Sequence, residues 1–96
     1  MKIIWSPQTK RGYWKNIDYL EAEWTFNAVV RFIEKVAQTI TLLSQQNVVF
    51  ISTNYRDVKK VIITKQITLY HKINAETLEL LRFWNTYQDL KNFKLQ

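Results

Sequence analysis

The stretch KKVIITKQITLYHKINAETLELLRFWNTYQ, Lys59 to Gln88, is the most informative part of the sequence for predicting the fold. It contains three runs rich in β-branched and aromatic residues, at about 58–64, 66–73 and 77–84, a composition typical of strands. The runs are separated by Lys65-Gln66 and by Asn74-Ala75-Glu76, and such short connections join antiparallel strands as hairpins. The sequence therefore predicts three consecutive antiparallel strands.

The chain before this stretch supplies one more strand and two helices. Lys2 to Trp5 is a short β-rich run, and Ser6-Pro7 is a helix start, because serine caps the helix and proline suits its first position. Apolar residues recur at helical spacing to about Glu23, and again over roughly 26 to 45 after a capping Thr25. Two helices joined by so short a link are predicted to form an antiparallel hairpin.

The order β-α-α-β-β-β predicts a single α+β domain over residues 1–96, with the helical hairpin packed on one face of a small antiparallel sheet. The first strand is free to join the sheet beside a later one. Gln45 to Asp57 is the least regular segment, and within it Val48 to Ile51 is a candidate short extended piece.

Strand parity predicts which residues share a face. Pairing Ile73 with Thr77 sets Tyr70 opposite Leu80 and Thr68 opposite Arg82. The helix-facing set is then Ile67, Leu69, His71, Glu79, Leu81 and Phe83. The other set is Gln66, Thr68, Tyr70, Lys72, Leu78, Leu80, Arg82 and Trp84. Two helices cover only one face, so the second, which mixes aromatic and basic side chains, is predicted to meet a partner.

Arg82 is central to this prediction because it interrupts an apolar run. An arginine among aromatic rings suits a phosphate backbone with stacked bases, or an acidic amphipathic peptide. The structural alternative is a salt bridge from Arg82 to Glu76 or Asp89, with Trp84 packed under the C-terminal tail.

Composition points to an acidic partner in the cytoplasm. The net charge is +6 and the pI about 9.7, and the basic surplus lies mainly from Arg56 onward. Without cysteine there are no disulfides or thiol nucleophiles. No apolar run approaches the roughly 18 residues of a membrane span, so we expect a soluble protein without a membrane partner.

Residues for catalysis are few. The only glycine is Gly12, which excludes a glycine-rich phosphate loop, and the only histidine is His71, which makes a metal site or a Ser/His/Asp triad improbable. We therefore expect no metal and no cofactor. RNA cleavage by a 2′-hydroxyl needs only a base, an acid and cations. The candidates for that chemistry are Arg82, Tyr87, Lys59, Lys60, Lys65 and Arg56.

The chain resembles the RelE/ParE superfamily of bacterial type II toxins, along nearly its whole length from Lys2 to Leu95. Four stretches carry the resemblance: IIWSP at 3–7, IDYL at 17–20 followed by Trp24, VIITKQITLYHKI at 61–73 and LLRFWNTYQD at 80–89. Two departures are Tyr87, where relatives often have arginine, and Asp89-Leu90, which replaces the usual Asn-Pro or Asp-Pro.

The resemblance implies a small growth-inhibiting toxin, neutralised in a hetero-oligomer by a cognate antitoxin whose C-terminal segment wraps it. Relatives act by ribosome-dependent mRNA cleavage (RelE-like) or by poisoning DNA gyrase (ParE-like), and Arg82 lies where both branches place a functional arginine. The pattern looks more ParE-like; in a nuclease, Arg82 and Tyr87 would be the catalytic pair. A basic nucleic-acid-binding module without toxicity is the third hypothesis. The predicted target- or antitoxin-binding residues are Arg56, Lys59, Lys60, Lys65, Tyr70, Lys72, Leu80, Arg82 and Trp84.

Overall fold

Five strands and two helices form the part of the chain that the computed structural model describes, residues 1–45, 51–53, 55 and 57–86. They are β1 (Lys2–Trp5), α1 (Pro7–Glu23), α2 (Phe26–Ser44), β2 (Ile51–Ser52), β3 (Val58–Thr64), β4 (Ile67–Asn74) and β5 (Thr77–Asn85). The six predicted elements are confirmed to within a residue or so at their ends. The extended piece predicted at Val48 to Ile51 is described only at its last residue, where β2 begins.

The strands form one sheet in the order β1-β5-β4-β3-β2. The consecutive strands β3, β4 and β5 pair antiparallel, as predicted, and the α+β class is confirmed. The short β2 also pairs antiparallel with β3, which was not predicted. The antiparallel description does not extend to β1, which runs parallel to β5 and makes the sheet mixed. Parallel neighbours need a long connection, and the intervening helices and strands supply it.

Both predicted helix caps are present. The Ser6 hydroxyl accepts a hydrogen bond from the Thr9 N–H at 3.0 Å, and the Thr25 hydroxyl accepts one from the Ala28 N–H at 3.2 Å. The helices cover one face of the sheet with a core of fully or nearly fully buried side chains. These are Leu20, Val29, Phe32, Val36, Leu43, Val61, Ile63, Ile67, Leu69, Leu78, Leu80 and Phe83. Among the described residues, neither helix is long and apolar enough to span a bilayer.

The register between β4 and β5 differs from the prediction. Asn74, not Ile73, pairs with Thr77, so the turn has two residues rather than three, and His71 lies opposite Leu80. Because of this one-residue difference, the side chains at the start of β5 point to the opposite faces from those predicted. Its leucines at 78 and 80 enter the core, while Glu79 faces away from the helices.

A β-bulge at Leu81 then restores the predicted faces. Beyond it, Tyr70 pairs with Arg82 and Leu69 with Phe83, so Arg82 lies on the face without helices. The bulge adds a second one-residue shift, because it sets two residues of one strand against one of its neighbour. The strand partners beyond it therefore differ by two residues from the predicted ones, while the side chains return to the predicted faces. Leu81 itself is half-buried outside the core, where the sequence predicted a helix-facing side chain.

The start of α1 binds the irregular backbone at the bulge. The buried Thr9 hydroxyl donates to the Leu80 carbonyl at 2.6 Å, and the Ser6 hydroxyl donates to the Leu81 carbonyl at 3.2 Å. The Ser6 N–H also donates to the Leu80 carbonyl at 3.2 Å. The Leu80 carbonyl thus accepts both from the β1 side of the sheet and from Thr9, and these bonds join the first turn of α1 to the bulged strand.

Replacing Gly12 with alanine should stabilise the protein by about 0.5–1 kcal/mol, because glycine inside a helix costs roughly that much relative to alanine. A Cβ at this position would lie 3.6 Å from the Phe83 Cβ, an ordinary van der Waals distance. Urea unfolding of the wild type and Gly12→Ala checks this. A destabilised variant would mean that α1 packs more closely on β5 than these distances allow.

Candidate functional site

A slot on the sheet face without helices is built around Arg82. The Arg82 guanidinium carbon lies 4.7 Å from the centre of the Trp84 ring, which is cation–π geometry. Tyr70 is the cross-strand partner of Arg82. The cavity here measures about 440 Å³. We name it the Arg82 slot, and its described lining is Gln8, Tyr55, Val58, Tyr70, Leu81, Arg82 and Trp84.

Three elements besides β4 and β5 complete the Arg82 slot. The first turn of α1 contributes Gln8, and β3 contributes Val58. Tyr55, which precedes β3, is 76% exposed, far more than an aromatic side chain used only for packing. The described lining of the slot therefore combines aromatic surface with the cation of Arg82.

Further basic side chains lie on the same face. Lys60 is the partner of Tyr70 across β3 and β4, and Lys72 lies two residues along β4, hence on the same side. Glu79 is the partner of Lys72. Among the described residues, Arg82 and Lys60 are thus the cations paired with Tyr70, while the Lys72 end of the face carries a carboxylate opposite its amine.

Several solved structures that share this arrangement of elements are toxins, and some of them are toxin–antitoxin complexes. In the chromosomal ParDE system of P. aeruginosa, the matching chain is 9% identical, with 88% of this chain and 95% of that chain covered, at a TM-score of 0.73. A copper-bound mutant toxin from Helicobacter pylori is 13% identical, with 92% and 97% covered, at 0.68. The E. coli DinJ-YafQ complex gives 12% identity, 91% and 94% coverage and 0.62.

The chain has the fold of the RelE/ParE toxins. The matches span nearly the full length of both chains, and they include ParE-type and YafQ-type structures alike. No protein-family model matches the sequence, and no curated protein matches it either. The likeness therefore lies in the arrangement of helices and strands.

Within this RelE/ParE-like fold, the predicted site residues separate into groups. Tyr70, Arg82 and Trp84 meet in the slot, with Lys60 beside them and Lys72 further along. The placement of Leu80 on the open face was wrong: Leu80 is fully buried in the core, because the two-residue turn reverses the start of β5.

Two predicted lysines lie away from the slot. Lys59 pairs with His71, and strand alternation directs it to the helix side, opposite to Lys60. Lys65 is in the turn between β3 and β4 and lines a different cavity, beside Trp24 and Arg31. Arg56 and Tyr87 lie outside the described residues, so their roles stay predictions.

The alternative role of Arg82 was a salt bridge to Glu76 or Asp89, and the described residues test the first of these. Glu76 is in the turn before β5, and six residues of strand at about 3.3 Å each place it roughly 20 Å from Arg82. That distance excludes a direct ion pair. Asp89 lies outside the described residues.

Four slot residues were not predicted from the sequence. Gln8 and Tyr55 come from elements that no local pattern links to β5, and Val58 is an ordinary strand residue. Leu81 was assigned to the opposite face. Leu81 could have been assigned to the slot only if the bulge had been predicted, and a bulge leaves no reliable pattern in the sequence of a strand.

His71 is fully buried on the helix side of β4, away from the slot. Burial lowers the pKa of His71 below 6.5, and the charge of Lys59 lowers it further. Among the described side chains, no three histidine, aspartate or glutamate residues converge as metal ligands would.

The free energy of unfolding should fall as the pH drops from about 7.5 to about 5.5. Histidine is the side chain that ordinarily titrates in this range, and His71 is the only histidine of the chain. Its pKa is lower in the folded state, so the unfolded chain takes up the proton first. The slope approaches at most about 1.4 kcal/mol per pH unit, the value for one proton. Urea unfolding across this range should show that slope, and His71→Gln should flatten it. Equal slopes in both proteins would contradict the assignment.

Proposed function

We propose that the chain is the toxin of a type II toxin–antitoxin system, and that it acts in the cytoplasm through the Arg82 slot. The observation that carries the proposal is the pairing of Arg82 with Trp84 and Tyr70 on the sheet face that the helices leave uncovered. A cation between aromatic rings binds acidic or stacked partners well, and it sits here in a toxin-like fold.

The proposed neutralising partner is an antitoxin segment with acidic and apolar side chains. The chain carries a net charge of +6, and its slot offers aromatic surface beside Arg82 and Lys60. The structures from P. aeruginosa and E. coli are toxin–antitoxin assemblies. Such a segment would cover the slot and form the hetero-oligomer that keeps the toxin inactive.

For the target we favour DNA gyrase, poisoned without hydrolysis. His71, a potential proton-transfer group, is in the core on the far side of β4, and Lys59 lies on that same side. The slot residues Arg82, Tyr70 and Trp84 instead form a contact surface, which suits binding to a protein–DNA assembly.

The aromatic walls of the slot support a second candidate, ribosome-dependent mRNA cleavage. An unstacked base can stack on Tyr70 or Trp84 while Arg82 stabilises the charged transition state at phosphate. In that mechanism Arg82 and Tyr87 would be the catalytic pair.

Two assays on cells expressing the chain separate the targets. Gyrase poisoning predicts double-strand DNA breaks and trapped gyrase–DNA complexes, with intact mRNA. Primer extension that reveals codon-phased mRNA cuts without DNA breaks would replace the gyrase proposal with the nuclease. Co-expression of the small open reading frame beside the gene should suppress either effect, and failure to do so would contradict the antitoxin assignment.

A further inference from the structure

A second cavity, of about 300 Å³, lies between α1 and β5, and Arg82 lines both it and the slot. We name it the α1–β5 cavity. Three cationic side chains surround it: Arg11 and Lys15 from α1, and Arg82 from β5. None of its described lining residues is acidic. The fold thus brings three positive charges to one concave site.

The positions of these cations make the cavity attractive to an anion. Arg11 and Lys15 are four residues apart and therefore neighbours on one side of α1, where like charges repel. Asp18, one turn further along, does not line the cavity. An anion held between the three side chains would replace this repulsion with attraction.

Gly12 provides an independent indication. The single glycine of the chain lies in the interior of α1 and lines this cavity. Packing does not require glycine there, since an added Cβ would make only ordinary contacts with Phe83. The missing side chain leaves the helix backbone itself to line the cavity, at a cost to helix stability.

The base of the cavity is held in place by buried amides. Asn16 donates from Nδ2 to the Gly12 carbonyl at 2.8 Å, and its Oδ1 accepts from Asn85 Nδ2 at 2.8 Å. These bonds fix the turn of α1 that carries Arg11 and Lys15 against β5. The cations therefore project from a rigid base, which favours binding because less order has to be gained.

We propose that the α1–β5 cavity binds a phosphate group, held by Arg11, Lys15 and Arg82. Guanidinium groups match phosphate oxygens in pairs, and lysine adds a point charge. Inorganic phosphate and the phosphodiester of a nucleic acid present the same charged oxygens to this site. The proposal goes beyond the toxin function and does not depend on it.

The test is an NMR titration of the ¹⁵N-labelled full chain with inorganic phosphate, against sodium chloride at matched ionic strength. Because Gly12 is the only glycine, its backbone amide is a readily recognised reporter inside the cavity. Phosphate should move this signal saturably, and chloride should not. An unmoved signal, or an equal response to chloride, would overturn the proposal.

Charge-removing variants locate the site. Arg11→Gln and Lys15→Gln should each weaken phosphate binding about tenfold or more, the usual effect of losing a charge-assisted hydrogen bond. Lys10→Gln is the matched control, because Lys10 is exposed on the same helix and does not line the cavity. If Lys10→Gln weakened phosphate binding equally, the loss of affinity would follow from the lower net charge alone, and the proposed site would be refuted.

A short single-stranded oligonucleotide distinguishes the two sources of phosphate. If the site takes a nucleic-acid backbone, the oligonucleotide moves the Gly12 amide and the Trp84 indole signal together, because Arg82 joins the two cavities. If it takes a free phosphate compound, inorganic phosphate alone moves Gly12. Oligonucleotide binding that shifts Trp84 but leaves Gly12 unmoved, with phosphate also inactive, contradicts the proposal.

Discussion

Replacing Arg82 with alanine should remove most of the growth inhibition while leaving the fold intact. We expect the target to bury Arg82, and truncating one partner of a buried, hydrogen-bonded charge pair at an interface costs about 2–5 kcal/mol, which lowers affinity by more than tenfold. Arg82 is exposed, and its main described contact is with the Trp84 ring. Exposed cation–π pairs contribute only about 0.5–1 kcal/mol, so stability should change little.

The control for Arg82→Ala is Arg31→Ala, which removes an exposed arginine of α2 that lines a different cavity. Colony counts after induction should recover with Arg82→Ala and stay low with Arg31→Ala, at equal protein levels. Arg82→Lys adds a test of shape, because lysine keeps the charge and loses the planar stacking on Trp84. Undiminished toxicity of Arg82→Ala would return the residue to a structural role.

Replacing Leu80 with alanine should destabilise the protein by about 2–5 kcal/mol, as expected for a leucine truncated in a packed core. Leu80 is fully buried on the helix side of the sheet, and it is the last residue of β5 before the bulge. Its neighbour provides the comparison. Leu81→Ala should cost about 1 kcal/mol or less, since Leu81 is half-buried outside the core.

Chemical unfolding of these two variants tests the bulge directly. An unbulged strand with the register predicted from the sequence would reverse the order, with Leu81→Ala the more damaging. Leu81→Ala should also weaken target binding, because Leu81 lines the Arg82 slot.

The element order and caps were predictable because each depends on local patterns. Ser6 and Thr25 precede helical periodicity, and caps of this kind act over three or four residues. The strands β3 to β5 follow from β-branched runs and short turns. These signals need no knowledge of distant contacts.

The register of β5 was not predictable because it depends on distant contacts. Ala75 adopts a φ of 43°, in the left-handed region that alanine seldom occupies. The local sequence therefore does not predict a two-residue turn after Asn74. The carbonyls of the bulge that follows accept hydrogen bonds from Ser6 and Thr9, more than seventy residues earlier. Arg82 was assigned to the correct face because the turn and the bulge each shift the register by one residue, and a shift of two residues leaves a side chain on the same face.

The slot was predictable only in its strand residues for the same reason. Tyr70, Arg82 and Trp84 follow from parity within one hairpin, whereas Gln8 and Tyr55 arrive from other elements. A single sequence shows which residues alternate along a strand. It does not show which helix turn closes the end of a cavity.

The most direct test of the central proposal is the growth of cells in which the chain is induced alone. We expect growth to stop after induction, and the neighbouring small open reading frame to restore growth when it is co-expressed. Unaffected growth, with soluble folded protein present at the level reached by known toxins of this fold, would contradict the toxin function and leave a nucleic-acid-binding module as the better description.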